Sequence, residues 1–209
     1  MATTTNYGWT TPDDSSLVKD GAAAIRTLGS SIDTSLNTAL GTRKAGMVLI
    51  STTSFTAQST ISIDNVFSTT FDNYLIKFNN CIASSNTWLS MRLRVAGADE
   101  TSANYHSQYL FAGGTSVAAA RYASATSWVE VMRIDSTQQN LGDINIFTPF
   151  ATRPTTASMV TVTGGATTSI DTLSYVRGLN TATSYTGFTV LTGGAPTITG
   201  SVSVYGFNK

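Results

Sequence analysis

The hydrophobic period of this chain changes at Gly46, from helical before it to alternating after it, and that change limits the fold more than any other feature. From Leu17 to Leu40 the residues are mostly good helix formers, among them Ala22, Ala23, Ala24, Leu28, Leu36, Ala39 and Leu40. Val18, Ile25, Leu28, Ile32 and Ala39 fall on one seam of alternating three- and four-residue spacing, with Gly21 and Ser35 at its weaker positions. Thr11-Pro12-Asp13-Asp14 reads as the helix start: Thr11 as cap, Pro12 in the first turn, and Asp14 answering the positive helix end. Gly41 supplies a stop, and Lys44-Ala45-Gly46 a joint. A lone helix with one apolar stripe buries little, so it needs a partner.

Beyond Gly46 the chain alternates. Residues 47–51, 60–66, 74–78, 88–95, 127–134, 143–147, 158–163, 173–179, 186–192 and 201–207 each read as strands. Tyr74, Ile76 and Phe78 share one face, as do Leu89, Met91, Leu93 and Val95, opposite Trp88, Ser90, Arg92 and Arg94. Such strands have one buried face and one that meets solvent or a neighbour. The glycine pairs 113–114, 164–165 and 193–194 read as turns of positive φ. No Lys-Ser/Thr and helix start follows any of them, so they are not phosphate loops. The expected class is therefore mainly β: an N-terminal unit (residues 1–45) of a leading peptide and an α-helix, followed by an antiparallel, jelly-roll-like β-sandwich of about ten strands (residues 46–209).

Charge limits function. Only 11% of the 209 residues are charged, with formal net charge +0, against about 25% charged in ordinary proteins. Ser and Thr make up roughly three residues in ten, which favours pleated, half-exposed strands. With so little charge, copies of the chain repel one another weakly. Lys and Arg are scattered, so neither nucleic acid nor an anionic membrane is an expected partner. The one cysteine, Cys81, excludes an internal disulfide and reads as a buried thiol. No segment has membrane-spanning length and the N-terminus lacks a signal-peptide pattern, so the chain is expected to stay in the cytoplasm until lysis releases it.

Few residues carry chemistry. The one histidine, His106, rules out multi-histidine metal sites within one chain. A triad of His106, a serine and Asp99 lacks a Gly-x-Ser-x-Gly elbow, and Tyr105-His106-Ser107 reads instead as a strand start. Asp99-Glu100 sits in a polar stretch, residues 96–103, that would suit a cation or a sugar hydroxyl only if other oxygens converged on it. No catalytic residue, metal or cofactor is assigned. The rings of Trp9, Trp88, Trp128, Tyr105, Tyr109 and Tyr122 are the residues able to stack on a sugar or anchor a protein interface. Trp88, Tyr105, His106 and Trp128 are the candidate ligand contacts, with core packing as the simpler role for both tryptophans. Arg92 and Arg94 are either solvated or paired with a neighbouring copy.

The stretch Tyr7-Gly8-Trp9, Pro12-Asp13-Asp14 and Val18-Lys19-Asp20-Gly21-Ala22-Ala23-Ala24-Ile25-Arg26 resembles the opening of virion proteins from tailed bacteriophages, in which varied distal domains follow it. The resemblance covers about the first forty residues. It implies a non-enzymatic structural subunit of a tail or capsid fibre, assembled in the host cytoplasm. Tyr7, Trp9 and Pro12 would dock on other virion proteins. Val18, Ile25, Leu28 and Ile32 would form the seam of a homotrimer, and the β-sandwich would contact a host glycan or protein. A capsid-decorating cement protein and a carbohydrate-degrading tailspike are the alternatives.

Overall fold

Thr11 precedes Pro12, whose ring disfavours helical backbone in the residue before it, and the chain is accordingly extended there. In the computed structural model, which describes residues 2–13, 17–40, 46–113, 115–137, 140–165 and 169–208, Thr11 lies in a strand. Strand β1 (Ala2–Thr3) pairs antiparallel with β2 (Thr10–Thr11), and helix α1 (Val18–Leu40) begins later than the capping pattern predicts. Thr11 is thus a strand residue and not the cap, and Pro12 is exposed outside the helix. The roles read for Asp14, Gly41, Lys44, Ala45 and Gly114 lie outside the described residues.

The chain divides into two compact units, Met1–Gly46 and Met47–Lys209. In the first, the reversal between β1 and β2 is closed by Thr4 and Trp9, which bond through their backbones, and by Gly8 at φ +64°. The indole Nε1 of Trp9 donates to Ser35 Oγ at 2.9 Å, so the arm lies along its own helix. Ala24 is buried; Leu28, Ile32 and Ser35 are half-buried. Val18, at 97% exposure, and Ile25, at 65%, are open.

The second unit is a sandwich of antiparallel strands: β3 (Met47–Gln58), β4 (Thr60–Ile63), β5 (Asn73–Ala83), β6 (Thr87–Val95), β7 (Ala98–Asp99), β8 (Tyr105–Gly113), β9 (Ser116–Ala125), β10 (Trp128–Ile134), β11 (Asn140–Phe147), β12 (Thr155–Gly165), β13 (Ser169–Leu179), β14 (Gly187–Thr192) and β15 (Ile198–Phe207). The large sheet has the order β3-β15-β5-β11-β12-β13-β8-β9; the small one runs β10-β6-β14-β4, with β7 beside β6. Without the β8–β9 and β12–β13 hairpins, two four-stranded sheets remain, β3-β15-β5-β11 and β4-β14-β6-β10. That order is the double Greek key of a jelly roll. The two hairpins, inserted before β10 and before β14, join each other and carry the large sheet four strands further.

Alternation set the core as read. Tyr74, Ile76 and Phe78 of β5 and Leu89, Met91 and Leu93 of β6 are buried, while Leu75, Lys77, Ser90, Arg92 and Arg94 are half-exposed. Each such apolar side chain contributes roughly 1.5–3 kcal/mol by leaving water. One glycine pair departs from the turn reading: Gly164 and Gly165 end β12, paired with Ile170 and Ser169, while Gly113 of another pair ends β8. The third is a bend, with Gly194 at φ +135°. A turn that the sequence reading passed over is Ala96-Gly97, both at positive φ, which folds β7 back on β6.

Candidate functional site

Strand β10 is an edge strand of the small sheet, and its ladder with β6 is interrupted between Trp128 and Met132. Within this bulge Glu130 sits at φ +54°, a conformation that costs a residue with a side chain about 1–3 kcal/mol. The bulge turns peptide carbonyls away from the ladder, and a buried arginine collects them. Arg177 of β13, only 1% exposed, donates through Nη1 to Val129 O at 2.6 Å and to Ser107 Oγ at 2.9 Å, and through Nη2 to Glu130 O at 2.8 Å. Its guanidinium also lies 4.2 Å from the centre of the Tyr175 ring. Burial brings its pKa down to about 10, and Nε has no partner.

The Glu130 carboxylate is held from the other side. Tyr122 donates to Oε1 at 2.7 Å and Tyr175 to Oε2 at 3.3 Å. Burial, reinforced by the nearby carboxylate, raises the pKa of both phenols, so they remain donors through the neutral range. Tyr109 lies beside both, with ring centroids 6.0 Å from Tyr122 and 5.0 Å from Tyr175. The result is a cleft of about 280 Å³ between β10 and the inserted hairpins, lined by Trp88, Tyr109, Phe111, Glu130, Arg133 and Leu173. Arg133 stands directly across from Trp88 in the β6–β10 register.

Of the four candidate ligand contacts Trp88 lines this cleft, as does Tyr109, one of the other rings read as able to stack on a sugar. Trp128 and Tyr105 are fully buried and their rings meet edge to face at 5.8 Å. Trp128 Nε1 donates to Gly178 O at 3.0 Å, and the Tyr105 hydroxyl accepts from Leu93 N at 2.9 Å and donates to Glu100 O at 3.1 Å. Both are core residues with every polar atom satisfied, which removes them as ligand contacts. His106 lies elsewhere, in a wider depression of about 800 Å³ with Gln108, Leu110, Arg121, Val176 and Gly178. Sequence reasoning missed Glu130, Arg177 and Tyr175, because a bulge leaves no mark in the hydrophobic alternation.

The imagined triad is not assembled. His106 belongs to β8, whereas Asp99 accepts from Thr189 at 2.6 Å and pairs with Arg94, which also binds Asp64 at 2.9 Å. Arg94 is therefore tied within the chain and not left solvated. Glu100 accepts from Ser102 N at 2.8 Å and from the Tyr185 hydroxyl at 3.3 Å. Burial alone would raise its pKa, but these hydrogen bonds outweigh it and hold the carboxyl below its ordinary value. Among the described residues no three His, Cys, Asp or Glu side chains converge as a metal site.

In the N-terminal unit, Tyr7 stacks on Trp9 at 5.0 Å and is 67% exposed, so Trp9 is engaged by its own helix and Tyr7 is the open member of the pair. The proposed seam also divides: Leu28 lies on the flank with Ala24 and Ser35, while Val18 and Ile25 continue through Ile32 to Leu36, which is 51% exposed. Among the described residues no helix is long and apolar enough to cross a membrane. No protein-family model matches the chain, and no curated protein matches it.

Proposed function

We propose that this chain is a non-enzymatic structural subunit of a tailed-bacteriophage particle, of fibre type, in which the N-terminal unit attaches and oligomerises while the jelly roll is displayed for host recognition. The observation that carries this reading is the open seam of α1. Val18, Ile25 and Ile32 recur every seven residues, with Ala22 and Gly29 between them and Leu36 after them, at spacings of four and three. This is a helix–helix seam, and leaving it in water wastes its apolar area. Leu36 at one seam position with Ile25 and Ile32 at the other favours three strands or more over two, which fits a homotrimer. The arm supports the same division of labour: Tyr7 and Pro12 remain open for other virion proteins, with Trp9 bracing the arm on the helix. The resemblance of residues 7–26 to phage virion openings points to the particle.

Deletion of residues 1–46 tests the reading. The expected product is a folded, monomeric β unit that no longer joins particles when supplied during phage growth. Normal incorporation of that fragment would refute the attachment role. Labelled-antibody microscopy of whole particles then separates a tail fibre from a capsid decoration.

A further inference from the structure

We infer that the cleft beside the β10 bulge is a binding site for a single uncharged sugar ring. The chemistry of its walls selects that ligand. Trp88, Tyr109 and Phe111 present aromatic rings, which pair with the C–H face of a pyranose as they do with other weakly polar surfaces. Glu130 and Arg133 add one acceptor and one donor. A carboxylate offers about four lone-pair sites, so after accepting from Tyr122 and Tyr175 it still has capacity for a ligand hydroxyl. Arg133 supplies guanidinium N–H groups that match hydroxyl oxygens. Glu130 and Arg133, the acid and the base of the lining, balance, so the wall itself gives a charged ligand no advantage over a neutral polyol. A volume of about 280 Å³ lies just under the usual range for drug-sized ligands, which limits the site to one ring, such as the end of a chain.

Two departures from ordinary β structure make this a built site. Glu130 occupies left-handed backbone, and the bulge that places it there is held by an arginine whose burial is itself unfavourable. A regular β10 would need neither. Strain and a buried charge kept together beside a concave aromatic surface mark the places where a fold gives up local stability for a site. Arg177 is a positioning residue in this scheme: it touches the Val129 and Glu130 carbonyls, not the ligand.

The inference rests on the proposed function only for where the sugar would come from, a host surface, and its test needs no particle. Full-length protein is titrated with methyl α-D-glucopyranoside, methyl α-D-galactopyranoside, methyl α-D-mannopyranoside and N-acetylglucosamine, with tryptophan fluorescence and saturation-transfer NMR as readouts. At least one should bind saturably, with Kd on the order of millimolar, as befits one ring. Trp88→Ala and Arg133→Ala, both at half-exposed positions, should weaken it at least tenfold; Trp88→Phe should retain most of it. Arg121→Ala, in the His106 depression and outside the lining of the cleft, should leave it unchanged. The inference is overturned by no saturable binding of any of the four, by binding that survives Trp88→Ala, or by a preference for glucuronate over the neutral sugars. A protein that binds sugar yet joins particles without residues 1–46 would keep this inference and lose the attachment role; one that needs those residues but binds no sugar would do the reverse.

Discussion

Gly187 shows how little room the sandwich leaves at single positions. A Cβ built there would stand 2.1 Å from the carbonyl oxygen of Ile63, which is backbone and cannot swing aside. Gly187→Ala should therefore lower stability by about 1–3 kcal/mol, seen as a fall in Tm of several degrees. Gly21 makes the opposite case, being helical with open space around it. Gly21→Ala should stabilise α1 by about 0.5–1 kcal/mol, raising helicity by circular dichroism. Neither effect is legible in the sequence, where both residues are simply glycine. Cys81 was legible, because its apolar neighbours mark a buried thiol; the residue is fully buried, and burial pushes its pKa up to about 11. Arg177 was legible only in position. It alternates with Leu173, Tyr175 and Leu179 on the inward face, but a charged side chain there reads as an exception until the carbonyls it collects are known.

Elements with strong alternation were found in the sequence nearly whole, while those with a weak pattern were missed. The ten expected strands all exist, most of them longer than the apolar run that marked them. The sequence does not mark β8 and β9 as a pair, because β9 runs Val117-Ala118-Ala119-Ala120-Arg121, which has low β propensity and no alternation. Its strand state comes from pairing with β8 along nearly its whole length. Since the cleft is built between that hairpin and β10, the candidate site was unreadable for the same reason. The β10 bulge is the element on which the site turns. Arg177→Ala would leave the part-buried carbonyls of Val129 and Glu130 without these donors, at a cost of about 1–3 kcal/mol each. Thermal melts should show the loss, and the conservative Arg177→Lys should recover only part, because one ammonium cannot match the fork. In the N-terminal unit, Val18→Asp with Ile25→Asp should reduce the mass measured by light scattering to that of one chain. Helical circular dichroism should change little, since neither side chain is covered in the single chain.

At the scale of the whole β unit, the tyrosines govern its behaviour in alkali. Burial raises the pKa of Tyr105, Tyr122 and Tyr175 far above the ordinary value, and that of Tyr185 to about 12. A phenol whose folded pKa exceeds its unfolded one contributes stability that is complete below the unfolded value, near pH 10, and is lost as pH rises towards the folded value. Arg177 works the other way. Its folded pKa is down at about 10, so between there and its ordinary range the unfolded state holds the extra proton and stability rises with pH. Four phenols lose stability against one guanidinium that gains it, and the net slope is downward from about pH 10. The β unit should accordingly be stable through the neutral range and unfold cooperatively above pH 10. Phenolate absorbance near 295 nm from Tyr105, Tyr122, Tyr175 and Tyr185 should then appear abruptly, together with the loss of β-sheet circular dichroism. A smooth titration of these four tyrosines near pH 10 with the fold intact would show that Tyr122 and Tyr175 do not hold the Glu130 carboxylate from a desolvated position. The bulge cleft would then lose its support along with the alkaline transition, because the same two hydroxyls account for both.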